Sequence, residues 1–129
     1  MIITTVAEAI KNSVTSLDFL YSDGVYFPYM RIIESRLFAK QVDEYLKTEE
    51  YAAFRLYLAQ HPDAGDIMPS GGGIRKVRWG AKGKGKSGGV RIIYYHYTIR
   101  AELLLMLIYS KGEMGNISPE MLKRLRKEL

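Results

Sequence analysis

Ile74-Arg75-Lys76-Val77-Arg78-Trp79 is followed by ten residues rich in glycine and lysine (80–89), and then by Val90-Arg91-Ile92-Ile93-Tyr94-Tyr95-His96-Tyr97-Thr98. The first segment alternates. As a strand it sends Lys76 and Arg78 to one face and Arg75, Val77 and Trp79 to the other. The third is dense in β-branched and aromatic residues, which suit a pleated, half-buried surface. Glycines between them favour a loop, so the whole reads as a β-hairpin. Residues 103–109 continue as a near-unbroken apolar run, the mark of a strand covered on both faces. A meander of three strands therefore decides the fold class.

The elements upstream fit that frame. Residues 30–34 read as a short β-branched strand. Residues 35–46 read as a helix with Leu37, Phe38, Val42, Tyr45 and Leu46 on one stripe. Thr48 is the predicted N-cap of a second helix, with Glu49 and Glu50 where the helix dipole favours them. Tyr51, Phe54 and Leu58 form its buried face, His61 marks its end, and Pro62 stops it. The following 13 residues are read as loop, with Asp63-Ala64-Gly65-Asp66 and Gly71-Gly72-Gly73 as turns. Downstream, Ser118 and Pro119 form the N-cap and first position of a last helix carrying Met121, Leu122, Leu125 and Leu129. The expected fold is α+β: a small single domain of two N-terminal helices on a mainly antiparallel four-stranded sheet, with a C-terminal helix.

Residues 1–29 are set apart as an N-terminal extension. Thr5 can cap a weak helix through Val6, Ala9, Ile10 and Val14, but Asn12, Ser13, Thr15 and Ser16 dilute it. Ser22-Asp23-Gly24 signals a turn, and Pro28 breaks what precedes Tyr29. An accessory helix and a loosely attached tail both fit; the tail is preferred, and 30–129 is taken as the folded domain.

The chain has 129 residues and a formal net charge of +5. Between Asp66 and Glu102 there is no acidic residue and there are eight basic ones, while the rest of the chain is net acidic. Charge segregated in this way marks a surface for a polyanion, and a nucleic-acid backbone is the simplest one. The plainer reading is a solvated basic loop. The chain contains no cysteine and two histidines, so no disulfide frame and no thiolate or histidine zinc site is expected. No run of about 18 apolar residues exists, and Glu8, Lys11 and Asp18 interrupt any secretory core, so a cytoplasmic protein without membrane contact is expected.

Gly80-Ala81-Lys82-Gly83-Lys84-Gly85-Lys86-Ser87 matches the pattern of a phosphate-binding P-loop. That chemistry needs Lys86 and Ser87 to open a helix, whereas the residues after Gly89 are strand-forming. The match is therefore rejected. Lys76, Arg78 and Arg91 instead fall on adjacent strands, where three cations repel one another unless an anion or solvent intervenes. Arg75, Lys82, Lys84, Lys86 and Tyr94 are the candidate nucleic-acid contacts: the glycine-spaced lysines for backbone phosphates, the aromatic ring for stacking on a base. Trp79 and half of the tyrosines are assigned by alternation to the core, and His96 to a hydrogen-bonded structural role.

From residue 30 onward the chain resembles the RelE/ParE superfamily of bacterial toxins, closest to its HigB-type, RelE-like branch. The resemblance rests on Gly72-Gly73-Ile74-Arg75-Lys76-Val77-Arg78, on 82–95, and on Tyr109-Ser110-Lys111-Gly112-Glu113-Met114. It implies the toxin of a type II toxin–antitoxin system: an mRNA interferase acting in the ribosomal A site, restrained by a helix-turn-helix antitoxin. It further implies metal-free cleavage with no cofactor, in which a 2′-OH attacks the adjacent phosphate. The positions that match the family's catalytic site are Lys76, Arg78, Arg91 and Lys111. Arg78 and Arg91 are expected at the phosphate, with Lys76 or Lys111 near the proton transfers. Glu113 is either a carboxylate partner or a structural pair for Lys111. Gly112 stands where members often have arginine, and Ile117 and Ser118 where many have tyrosine. These departures keep two alternatives open, a DNA gyrase inhibitor of the same fold and a non-catalytic basic RNA-binding module.

Overall fold

Ser35 holds together the two halves of the architecture. In a computed structural model, which describes residues 25–27 (backbone only), 30–80, 89–113 and 117–127, its fully buried side chain does two jobs. The hydroxyl oxygen accepts a hydrogen bond from Phe38 N (3.0 Å), capping helix α1 (Arg36–Tyr45), and the hydroxyl donates to the carbonyl of Met106 (2.7 Å). Met106 is the extra residue of a bulge: Ile93 pairs with Leu107 but Tyr94 pairs with Leu105. A bulge leaves a backbone group outside the ladder, and Ser35 satisfies it. Ser35→Ala removes a cap and orphans a buried carbonyl, so it is expected to lower stability by about 2 kcal/mol in chemical denaturation. An unchanged midpoint would show that neither bond matters.

The strands are β1 (Val25–Phe27), β2 (Met30–Glu34), β3 (Asp66–Ile67), β4 (Arg75–Trp79), β5 (Val90–Tyr97) and β6 (Glu102–Ser110). They form one sheet in the order β1-β2-β6-β5-β4-β3. As expected, β4, β5 and β6 make an antiparallel meander, and β6 is buried along residues 102–109. Helices α1 and α2 (Thr48–Gln60) cover one face. Phe38, Val42, Leu46, Tyr51, Phe54 and Leu58 pack there on Ile32, Val77, Ile92, Tyr94 and Leu103. Helix α3 (Pro119–Lys127) covers part of the other face, with Leu122 and Leu125 against Ile93, Met106, Leu107 and Tyr109. Its start is capped as expected, Ser118 Oγ accepting from Met121 N (3.1 Å).

Four details correct the sequence-based picture. The sheet is six-stranded and mixed, because β2 lies parallel to β6. The α1–α2 hairpin and the meander return the chain to β6 in the direction of β2, and a parallel pair needs such a long crossover. Second, β1 comes from the stretch assigned to the extension: Val25 pairs with Ile32 and Phe27 with Met30. Both Ile32 and Ile33 are buried, so β2 is covered on both faces, and β1 takes up the backbone groups of its outer edge. The stretch around Val6–Val14, read as a loose tail in preference to a weak helix, lies outside the described residues. Third, β3 occupies part of the predicted loop, Asp66 pairing with Lys76 and Ile67 with Arg75 along the other edge. Fourth, Lys47, not Thr48, caps α2, because its backbone N–H donates to the Glu50 carboxylate (2.7 Å). That reciprocal arm of a capping box satisfies the helix entry without a hydroxyl.

Gly89 closes the hairpin base. A Cβ there would lie 2.0 Å from the Trp79 carbonyl oxygen, so the backbones approach only if the residue is glycine.

Candidate nucleic-acid interface

The β4–β5 register determines where the charges go. Residues directly opposite in an antiparallel pair share a face, and Arg78 stands opposite Arg91 while Lys76 stands opposite Ile93. All four side chains are therefore on the α3 side of the sheet. Arg91 in turn faces Tyr109 on β6, which gives a row Arg78–Arg91–Tyr109 across three strands. Two arginines at directly opposed strand positions favour an anion between or above them.

Lys76 and Arg78 line a groove of about 420 Å³. One wall is the β3 segment, Asp66, Ile67, Met68 and Pro69; the other is the start of α3, with Ile117, Pro119 and Leu122. Apolar walls beside a cationic edge suit a strand whose bases are apolar on their faces and whose backbone is anionic. Asp66 and the Met68–Pro69 wall were not singled out from the sequence. They enter the site only because β3 pairs along the edge of β4.

Lys111 follows the end of β6 and is exposed. Its neighbour Glu113 is neither a free carboxylate nor its ion-pair partner among the described residues. It accepts from Tyr45 Oη (2.8 Å), from Ser110 N (2.9 Å) and from Ser110 Oγ, fixing the turn after β6. Partial burial pushes the Glu113 carboxyl up, but the hydrogen bonds from Ser110 and Tyr45 outweigh it and hold the group below its ordinary range. A carboxylate with a depressed native pKa stabilises the fold above its unfolded value, near 4.3, and loses that contribution as pH falls through the native value. Glu113→Gln should therefore melt below wild type at pH 7, with the gap closing under about pH 4. A gap independent of pH would refute the assignment.

Two expected contacts are corrected. Tyr94 is fully buried, and its hydroxyl accepts from Gly65 N (2.9 Å) and donates to the Pro62 carbonyl (2.8 Å). Desolvation raises its pKa. It is a core residue on the α1–α2 face and has no access to a base. Arg75 sits opposite it and ties down the same segment, its Nη1 donating to the carbonyls of Gly65 (2.7 Å) and Asp63 (3.2 Å). Its Nη2 also lies 3.5 Å from Asp63 Oδ1. The alternation that separates Arg75 from Lys76 and Arg78 holds, and it takes Arg75 out of the groove. Lys82, Lys84 and Lys86 lie outside the described residues.

The structural assignments hold elsewhere. Trp79 packs on Phe54 and Tyr57, each at 5.3 Å between ring centroids. His96 Nδ1 lies 2.9 Å from Asp63 Oδ1, a hydrogen bond that holds the Asp63 carboxyl low. Tyr95 and Tyr97, which the sequence leaves between base stacking and the core, are half-buried and lie beneath the guanidiniums of Arg126 and Arg100, at 5.6 and 4.7 Å. The P-loop reading is excluded as well, since a strand, not a helix, follows Gly89.

Among the described residues no three His, Asp or Glu side chains gather as metal ligands, and no helix is long and apolar enough to cross a membrane. No family model matches the chain.

Proposed function

We propose that the protein is a RelE-like toxin of a type II toxin–antitoxin system, a ribosome-dependent mRNA endonuclease. The observation that carries the proposal is the opposition of Arg78 and Arg91 on one sheet face, with Lys76 beside them at the edge of the groove. Together with the resemblance quoted above, this arrangement supports phosphodiester chemistry over simple solvation. The 2′-hydroxyl gives up its proton as its oxygen bonds to the adjacent phosphorus, the bond from phosphorus to the 5′-oxygen breaks to leave a 2′,3′-cyclic phosphate, and the leaving oxygen takes up a proton. Arg78 and Arg91 neutralise the charge that builds on the phosphorane, which is where fixed cations accelerate such a reaction. Lys76 and Lys111 are assigned to the proton movements, and no metal ion or cofactor takes part. The A-site mRNA on the ribosome is the substrate, a helix-turn-helix antitoxin the restraining partner, and the cytoplasm the site of action.

Controlled expression in bacteria with mapping of mRNA 5′ ends tests this. Growth arrest with cuts confined to translated messages, in codon register, is the expected result. Intact transcripts with stalled replication would point to gyrase inhibition, and protection of RNA without cleavage to a binding module. Either outcome overturns the proposal.

A further inference from the structure

The row of cations ends on a tyrosine that the proposed mechanism has not used. Tyr109 stands directly opposite Arg91, on the face that also presents Arg78. Its ring is almost wholly buried, 3% exposed, in the apolar cluster that contains Ile117 and Leu122. Yet its hydroxyl makes no hydrogen bond to another described residue. Buried phenols normally find such a bond. The ring is thus clamped while the hydroxyl has no hydrogen-bond partner among the described residues, at the strand position opposite Arg91.

We infer that the Tyr109 hydroxyl is a catalytic ligand of the scissile phosphate, donating a hydrogen bond to a non-bridging oxygen next to Arg91. The inference rests on the proposed nuclease reading and adds a residue to its site. Opposed side chains start about 5 Å apart across a strand pair, so one phosphate held by Arg91 lies within reach of the phenol. Burial pushes the Tyr109 pKa up, against a smaller opposite pull from the Arg91 charge, so the hydroxyl keeps its proton at neutral pH and can only act as a donor toward an anion. It is also neutral, adding a hydrogen bond without adding to the repulsion between Arg78 and Arg91. A donor fixed before the reaction begins needs no reorganisation as charge grows on the oxygen. No proton is transferred from Tyr109. It binds the oxygen more strongly as the phosphorane forms.

The test compares wild type with Tyr109→Phe on ribosomes programmed with a short mRNA, reading the single-turnover rate, the half-saturating ribosome concentration and the melting temperature. Phenylalanine keeps the buried ring, so folding is preserved. The expected result is a cleavage rate lower by about 10²-fold, as for loss of one preorganised donor, with half-saturation and melting unchanged. Sulfur in place of a non-bridging oxygen at the cleaved phosphate should slow wild type and leave Tyr109→Phe nearly unaffected. A variant that cuts at the wild-type rate, that keeps the wild-type response to sulfur, or whose loss follows a lowered melting temperature overturns the inference. Absence of cleavage by wild type itself would instead overturn the nuclease reading.

Discussion

Arg91→Ala is expected to abolish growth inhibition and to slow cleavage by about 10²–10³-fold, the loss typical of one preorganised transition-state contact. The effect is large because Arg91 occupies the centre of its row, between Arg78 on one strand and Tyr109 on the other. Removing it takes away the charge closest to both neighbours. The phosphate would then keep Arg78, at the rim of the sheet, as the one cation of that row. Groups acting on one phosphate are strongly non-additive, so Arg78→Ala/Arg91→Ala should be little worse than Arg91→Ala alone. Melting should remain close to wild type, since the interior beneath β5 is built from Ile92, Ile93 and Tyr94. A folded Arg91→Ala protein that is fully toxic would remove Arg91 from the site and the proposed chemistry with it.

Tyr94 should behave in the opposite way, with a large loss of stability and none of activity per folded molecule. Tyr94→Ala deletes a fully buried ring, and large-to-small changes of this kind cost about 3–5 kcal/mol. For a domain stable by roughly 5–15 kcal/mol, that leaves little folded margin. Tyr94→Phe keeps the ring but strands the Gly65 amide and the Pro62 carbonyl, each bonded to the hydroxyl, at about 1–3 kcal/mol per buried group. Denaturation midpoints for the two variants, with cleavage normalised to folded protein, separate core from interface. Wild-type stability with weakened RNA binding in Tyr94→Ala would return the ring to the groove.

Much of the fold is legible from local pattern. Period-two alternation at 74–79 placed Lys76 and Arg78 together and Val77 and Trp79 opposite, as the register has them. The apolar run at 103–109 identified the doubly covered central strand, and Ser118-Pro119 located the start of α3. Both short edge strands escaped, because two or three residues beside turn signals carry too little periodicity. Their pairing is dictated by the unsatisfied backbone edges of β2 and β4, which only the assembled sheet presents. Tyr94 was misread for a related reason. Any aromatic in a basic stretch looks able to stack, and only the assembled fold decides that helices α1 and α2 cover the face on which Tyr94 lies.

The sequence by itself determined the class of elements, the concentration of positive charge between Asp66 and Glu102, and the face on which Lys76 and Arg78 travel. These are local properties, set by side-chain chemistry and the two-residue period of a strand. Tertiary structure alone decided that Arg91 meets Arg78 and Tyr109, that Arg75 and Tyr94 turn inward to hold the Pro62–Gly65 segment, and that β3 and α3 wall the groove. Those facts depend on register and on which face each helix covers. Both are fixed by burying the two apolar clusters together, not by any short stretch of the chain.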